Sequence, residues 1–184
     1  CDWSSDVCSS DLGAVEIVGC VLLAWCSQFI SSRLLMTVFT TSLTIMSECL
    51  LAFYPEKSGR LVGLYLPMLD PLGFICCLSC VSSNFAGHTK KITTNAMYLI
   101  AYCTGNLIGP QTFVSSQAPQ YIGAKVGMIA GSSVALLSLI CLYFSYVWEN
   151  KKRDSRTMVD MSHIENYEFA DLTDKQNPNF RYSK

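Results

Sequence analysis

The sequence predicts an all-α, polytopic membrane protein with about five transmembrane helices. Apolar runs of about twenty residues recur along the chain, and a helix of that length crosses roughly 30 Å of hydrocarbon. Short polar turns separate the runs. Hydrophobic residues make up 51% of the 184 residues and charged residues 15%. A length of 184 residues would also suit one soluble domain, but the repeated apolar runs outweigh that expectation.

The start of the chain differs from the rest. Residues 1–12 repeat Ser-Ser-Asp and have neither the basic start nor the apolar core of a signal peptide. They match no helix pattern either, and they resemble a sequencing adapter translated in frame. We therefore predict that residues 1–12 are not native, and that the chain, which starts with Cys1 rather than Met, is a fragment.

Five predicted spans follow in order. They cover residues 13–30, 34–54, 61–82, 93–113 and 122–148. The third span contains Pro67 and Pro71, which lack a backbone N–H and are expected to kink or break a helix. In lipid such a break is tolerated only where a neighbouring helix or a water-filled cavity satisfies the freed carbonyls. Residues 149–184 mix both charge signs with few apolar runs, which predicts a disordered tail.

Basic residues predict how the spans are oriented. The loop between the third and fourth spans is polar and basic, which is typical of the cytoplasmic side. If the tail is also cytoplasmic, the basic residues of that side are Arg33, Lys90, Lys91, Lys151, Lys152, Arg153 and Arg156. Those of the other side are Lys57, Arg60 and Lys125. This bias puts the start of the spans outside and the tail inside.

The cysteines and glycines of the spans indicate packing. Eight of the ten cysteines lie inside apolar runs, where a thiol acts as a small hydrophobic group. Cys77 and Cys80 form a lone C-x-x-C without a second pair or a His at ligand spacing, so no metal site and no cofactor are expected. No basic stripe remains for nucleic acid. Small residues at spacing of four predict close helix packing at Gly105, Gly109, Gly123, Gly127 and Gly131.

Four motifs carry a family resemblance. They are residues 84–91 (NFAGHTKK), 95–98 (NAMY), 105–113 (GNLIGPQTF) and 171–182 (DLTDKQNPNFRY). They resemble the fungal allantoate permease family, in the anion:cation symporter branch of the major facilitator superfamily, and the resemblance covers essentially residues 12–184. It implies twelve transmembrane helices in two six-helix halves with both termini cytoplasmic. The five spans would then be helices 8–12.

The resemblance also implies a function, which is proton-driven uptake of a small organic anion by alternating access. Family substrates include allantoate, ureidosuccinate, nicotinate and other vitamins, and small peptides. The implied location is the plasma membrane with the tail in the cytoplasm. The implied partners are the lipid bilayer, the anion, protons and the missing helices 1–7, without which the chain is expected to be inactive.

Polar residues inside the spans are the candidate site residues, because ionisable groups in hydrocarbon are costly and face a cavity or a partner. Glu16 and Asp70 are candidate proton carriers, although either carboxylate can instead stay hydrated near the outer surface. In this superfamily the tenth helix lines the cavity, so Tyr65 and Asp70 are expected near substrate. Asn106 and Gln111 are expected to bind either substrate or a neighbouring helix.

Two sets of polar residues are expected outside the cavity. Glu48, near the outer end of the second span, is expected to be hydrated. The loop residues are expected to set topology and to gate contacts between the halves rather than to bind substrate. They are Asn84, Gly87, His88, Lys90 and Lys91.

Two other classes of protein stay open at the level of sequence. One is a small structural or accessory membrane protein of five spans, complete in itself, which would need an initiator Met upstream of Gly13. The other is a membrane thiol oxidoreductase that uses Cys77 and Cys80. No nucleophile–base pair or phosphate loop indicates any other enzyme, so a transporter rather than an enzyme is the preferred interpretation.

Overall fold

Six α-helices make up the part of the chain that the structure describes. The computed structural model describes residues 3–29, 32–118, 121–155, 173–174, 177 and 179–183. In chain order the helices are α1 (Trp3–Ser27), α2 (Arg33–Phe53), α3 (Lys57–Tyr65), α4 (Asp70–Asn84), α5 (His88–Gln111) and α6 (Ile122–Asp154). Short 3-10 helices lie at Leu66–Leu69 and Ser115–Gln117. No strand occurs among the described residues, and the predicted all-α fold class is confirmed.

Helix α2 lies at the centre of the packing. It contacts α3, α4 and α6. Its N-terminus is capped by Ser32, whose side-chain oxygen accepts a hydrogen bond from the backbone N–H of Leu35 at 3.3 Å. The buried residues of α2 are Leu34, Met36, Thr37, Thr40 and Ser47. This helix therefore positions the helices around it.

The third predicted span is broken in the middle, as its prolines predict. The 3-10 helix Leu66–Leu69 separates α3 from α4. Pro67 has no N–H to donate to the carbonyl of Gly63, four residues earlier. That carbonyl instead accepts a hydrogen bond from the buried hydroxyl of Ser47 on α2. A neighbouring helix thus satisfies the freed carbonyl.

Three segments are long and apolar enough to cross a membrane, by the length and composition of the described residues. They are Arg33–Phe53, Ser58–Asn84 and Ile122–Asp154, and they match the second, third and fifth predicted spans. The apolar part of α1, Leu12–Ser27, is shorter. The fourth predicted span lies in α5, whose threonines, asparagines and glycines lower its hydropathy.

Helix boundaries differ from the prediction at both ends of the chain. Helix α1 begins at Trp3, so residues 3–12 are helical although their sequence matched no helix pattern. That these residues are not native stays a prediction. Helix α6 continues to Asp154, past the predicted end at residue 148.

Helix α5 lies at the edge of the described structure. None of its residues is buried, and it packs on α4. The ring of Phe74 on α4 lies 5.2 Å from that of Tyr98 and 4.9 Å from that of Tyr102, measured between ring centroids. From residue 99 to residue 111 every side chain is exposed. One face of α5 is therefore open along half its length.

Candidate functional site

A cleft of about 380 Å³ opens between α2, α4, α5 and α6. Its walls are mainly apolar. The polar side chains that line it are Thr37, Thr41, Asp70, Tyr98 and Ser138. A cavity of this size with apolar walls and a few polar groups is typical of a site for a small molecule. The cleft is therefore the candidate functional site.

Asp70 is the acidic residue among the described residues that line the cleft. It begins α4, directly after the 3-10 helix that the proline break produces. Its Oδ1 accepts a hydrogen bond from the hydroxyl of Thr44 on α2 at 3.1 Å. The side chain is exposed, so the carboxylate can meet solvent or a ligand in the cleft.

Four of the predicted substrate or proton residues are not among the described residues that line the cleft. Tyr65 ends α3, and Glu16 lies on α1, which packs against the Leu66–Leu69 helix and α4. Asn106 and Gln111 are exposed on α5, and Asn106 donates a hydrogen bond to a carbonyl of its own helix at 3.1 Å. Their roles in transport stay predictions.

Several hydroxyl groups of the cleft had not been singled out from the sequence. Thr37 and Thr41 lie four residues apart on α2, and this spacing puts them on one face of the helix. From the sequence, only this spacing could have indicated that the two threonines line one site. Tyr98 faces the cleft from α5, and its hydroxyl lies 3.5 Å from the carbonyl of Phe74, to which it donates. Nothing in the sequence distinguishes Tyr98 from the other tyrosines of the spans.

Glu48 is packed between helices rather than hydrated as expected. Its Oε1 accepts a hydrogen bond from the hydroxyl of Ser132 on α6 at 2.8 Å. Its Oε2 is buried and has no hydrogen-bond partner among the described residues. The position of Glu48 near the end of its span indicated hydration, but the residue lies on the face of α2 that meets α6.

Close helix contacts occur at glycines other than the predicted ones. A Cβ added at Gly63 or Gly73 would crowd side chains of α2. Gly123 faces the side chain of Gln117. Open space within the described structure surrounds the other predicted packing glycines, which are Gly105, Gly109, Gly127 and Gly131. Their role in packing stays a prediction.

The loop motif and the tail motif meet at one end of the helices. The described tail residues Thr173, Asp174, Asn177 and 179–183 are called the tail segment below. Lys90 of α5 forms an ion pair with Asp174. Asn84, at the end of α4, donates from Nδ2 to the carbonyl of Ser183 at 2.8 Å and accepts from the N–H of Ser183 at 2.6 Å. These described residues contact the helices, and residues 156–172 lie outside the described part of the chain. The disorder of the tail stays a prediction.

Helix α6 holds the tail segment from the other side. Asn150 donates to the carbonyl of Tyr182 at 2.8 Å and accepts from its N–H at 2.9 Å. The Tyr182 ring stacks on Tyr146 with centroids 4.9 Å apart and ring planes 5° apart. Arg153, whose side chain is 8% exposed, donates from Nη1 to the carbonyls of Asp174, Asn177 and Phe180. Sequence alone had assigned Arg153 to topology.

The remaining loop residues lie beside this contact. Gly87 precedes α5 with a φ of 95°, which favours glycine. A Cβ at Gly87 would lie 3.3 Å from the side chain of Thr173, so the loop and the tail approach closely here. His88 and Lys91 are exposed in the first turn of α5. Their gating role stays a prediction.

The buried carboxylate of the tail segment is ionised. Burial alone would raise the pKa of Asp174, but hydrogen bonds from Lys90 and Tyr182 outweigh it and hold that pKa below its usual value. The Tyr182 hydroxyl donates to Oδ2 of Asp174 at 2.8 Å. Burial, followed by this hydrogen bond, raises the pKa of Tyr182 to about 12. At neutral pH the carboxylate is therefore charged and the phenol keeps the proton that it donates.

Five of the basic residues used for the orientation lie at two ends of the helices. Arg33 donates to the hydroxyl of Ser79 on α4 at 2.6 Å, and Lys90 and Arg153 meet at the tail segment. Arg60 and Lys125 line one cavity with Phe53 at the ends of α2, α3 and α6 away from the tail segment. Arg156 lies outside the described residues. Which end faces the cytoplasm stays a prediction.

The cysteines form no disulfide among the described residues. Cys77 lines the cleft, and Cys80 is buried with its sulfur 3.1 Å from Nδ2 of Asn84. No group of three or more His, Cys, Asp or Glu side chains that could hold a metal ion occurs in the described ranges.

Comparison with known proteins identifies relatives among fungal transporters. The chain is 40% identical to the allantoate permease of Saccharomyces cerevisiae over 182 residues, which cover 93% of this chain and 34% of the permease. It is also 40% identical to an uncharacterised transporter of Schizosaccharomyces pombe over 172 residues, which cover 93% of this chain and 34% of that transporter. An MFS-type transporter of Penicillium expansum is 40% identical over 130 residues, 68% of this chain and 26% of that protein.

No family model and no solved structure matches the chain. The chain spans about a third of the length of the curated relatives it matches. The shared region nevertheless covers 93% of this chain. The chain belongs to the family of fungal transporters that includes allantoate permease, within the major facilitator superfamily.

Proposed function

We propose that this chain forms helices 8–12 of a plasma-membrane transporter that takes up a small organic anion together with protons, by alternating access. The cleft between α2, α4, α5 and α6 carries this proposal, because it offers apolar walls, hydroxyl groups and one carboxylate in a chain of a transporter family. The name of the permease makes allantoate the first anion to test. Ureidosuccinate, nicotinate and small peptides follow. The proposal assigns transport to the full-length protein and no enzymatic activity to this chain.

Asp70 is the proposed link between proton and substrate. An ionised carboxylate in the cleft repels an anion by like charge, whereas a protonated one can donate a hydrogen bond to it. Proton binding therefore favours anion binding, and the coupling is reciprocal. The hydroxyl of Thr44 keeps the carboxyl group at the cleft. Asp70 is accordingly the proposed proton carrier.

The open face of α5 supports the proposal that the rest of the transporter packs here. Leu107 is 69% exposed and Ile108 is 56% exposed, on the part of α5 that has no neighbour among the described residues. In the proposal, helices 1–7 cover this face and complete a central cavity between two halves. Asn106 and Gln111 would then lie near the cavity, and this chain alone would not transport.

The clustered basic residues support a cytoplasmic position for the end that holds the tail segment. Lys90, Lys151, Lys152 and Arg153 lie there, and basic residues concentrate on the cytoplasmic side of membrane proteins. Arg60 and Lys125 would face the outside. We place the tail in the cytoplasm on this basis.

The experiment is uptake of labelled allantoate by the full-length protein in proteoliposomes, with and without an imposed proton gradient. The Asp70→Asn protein is expected to lose gradient-stimulated uptake by about tenfold or more, because an amide cannot carry the proton. Its residual binding of the anion is expected not to vary with pH. The matched control is Glu56→Gln at an exposed turn, which is expected to keep uptake within about twofold.

Two results would contradict the proposal in different ways. If Asp70→Asn keeps the full gradient-stimulated uptake, the proton is carried elsewhere. If the wild-type protein takes up none of the organic anions, the substrate class is wrong.

The thiol oxidoreductase alternative finds little support in the geometry. A reactive thiol needs an accessible and electropositive setting. Cys80 is 3% exposed and packs against Asn84 and the backbone of Ser183. The geometry therefore favours transport over thiol chemistry.

A further inference from the structure

The tail segment joins helices that are otherwise linked through α2. Helices α4 and α6 both pack on α2, and α5 packs on α4. At the end of these helices, the adjacent tail residues Tyr182 and Ser183 are held by different helices. The side-chain amide of Asn150 on α6 forms hydrogen bonds with both the backbone N–H and the carbonyl of Tyr182. The side-chain amide of Asn84 on α4 forms the same two hydrogen bonds with Ser183. The tail therefore lies between α4 and α6 and bonds to each.

The charged contacts extend this link to α5. Asp174 is 4% exposed, forms an ion pair with Lys90 of α5 and accepts from Tyr182. Arg153 of α6 donates hydrogen bonds to three carbonyls of the tail segment, among them that of Asp174. Buried charges are costly unless paired and hydrogen-bonded, and here each of them is. This pattern is that of a specific docking site rather than of a loosely held tail.

The docking site also lies close to the candidate cleft. A second cavity, of about 400 Å³, lies between the tail segment and α6, and Leu142 lines both this cavity and the cleft. The helix ends that the tail joins are those that flank the cleft at this end. A contact that holds these helix ends together therefore lies beside the cleft.

We propose that the tail segment is an intramolecular clasp. Asn84, Lys90, Asn150 and Arg153 form its docking site, and docking makes the ends of α4, α5 and α6 move as one unit. The effect on transport rests on the proposed function, but the docking itself does not.

The test is hydrogen exchange, read by mass spectrometry, on the full 184-residue chain in lipid nanodiscs. The decisive variant is Asn150→Ala, because Asn150 bonds to Tyr182 and lies on α6. We expect exchange at the first turn of α5, which includes the N–H of Lys91 bonded to Gly87, to rise about fivefold or more. Asp174→Asn is expected to raise it by about tenfold or more, since a charged hydrogen bond is lost.

The matched control is Asp154→Asn. It removes the same charge and breaks the exposed ion pair between α6 and Arg181 of the tail segment, but it leaves Asn84, Lys90, Asn150 and Arg153 in place. Its effect is expected to stay under about twofold. Circular dichroism checks that each variant keeps its helix content, and Tyr182→Phe, which keeps the ring stack and loses the hydroxyl, serves as the mild variant. If Asn150→Ala or Tyr182→Phe speeds exchange only in the tail and leaves α5 unchanged, the clasp is refuted.

Uptake by the full-length protein separates the two proposals. If wild type transports and Asn150→Ala lowers uptake severalfold along with faster α5 exchange, the clasp acts in transport. If uptake is unchanged while α5 exchange rises, its role in transport is refuted. If wild type does not transport but Asn150→Ala still speeds α5 exchange, the clasp stands and the proposed function fails.

Discussion

Single residues show what local chemistry can and cannot predict. Pro67 and Pro71 predict the break in the third span. Proline has no backbone N–H, so the carbonyl four residues earlier loses its helical hydrogen bond whatever the surrounding fold is. The partner of that carbonyl, Ser47, is not predictable, because it lies on another helix. Glu48 shows the same limit, since its contact with Ser132 depends on which face of α2 meets α6.

The hydrogen bond from Ser47 to Gly63 gives a prediction at this scale. Ser47→Ala leaves the Gly63 carbonyl without a partner and is expected to lower the free energy of unfolding by about 1 kcal/mol, the usual worth of such a bond in a membrane. Pro67→Ala restores an N–H for the same carbonyl, so Ser47→Ala should cost less in that background. Thermal unfolding in detergent, followed by circular dichroism, measures both.

Ser42→Ala is the control for this cycle, because the Ser42 hydroxyl donates to the Val38 carbonyl of its own helix at 2.7 Å. Ser42→Ala should lower the free energy of unfolding by the same amount in the wild-type and the Pro67→Ala background. Equal costs for Ser47→Ala in both backgrounds would mean that Ser47 does not compensate for the proline.

At the scale of elements, the existence of the helices was predictable and their pairing was not. Long apolar runs identify α2, the α3–α4 segment and α6, because length and hydropathy are local properties. Close contacts at Gly63 and Gly73 depend on how α2 packs. The tail was expected to be disordered because it is polar, and that stays a prediction. The hydrogen bonds from Asn84, Asn150 and Arg153 to the described tail residues were not predictable, because these partners are far apart in the sequence.

The docking of the tail segment has a predicted pH dependence. The pKa of Asp174 is lowered in the folded chain, so its contribution is complete above the unfolded value of about 3.9 and is lost as the pH falls through the lower folded value. Lys90 and Tyr182 contact its carboxylate, and Arg153 donates to its backbone carbonyl. Docking should therefore be constant from about pH 8 to about pH 5, weaken as the pH falls below about 4, and be lost once the pH is below the folded pKa of Asp174.

Fluorescence anisotropy of a dye attached at the C-terminus measures this release. Asp174→Asn should remove the acid step and leave a lower, flat anisotropy. An acid step that persists in Asp174→Asn would show that another carboxyl group controls docking.

At the scale of the whole molecule, the described helices have one packed side and one open side. Helix α2 contacts α3, α4 and α6, whereas every side chain of α5 from residue 99 to residue 111 is exposed. Four of the five glycines predicted to pack, Gly127 and Gly131 among them, lie in open space as well. Both features agree with a chain that spans about a third of the length of its relatives. The family resemblance predicted which helices are missing.

The most direct measurement compares transport by the full-length protein with transport by this 184-residue chain, each purified and placed in proteoliposomes with an inward proton gradient. The proposal predicts gradient-driven uptake of allantoate or a related organic anion by the full-length protein and none by the chain. Uptake by the chain alone would contradict the assignment to helices 8–12, and no uptake of any organic anion by the full-length protein would contradict the transport function.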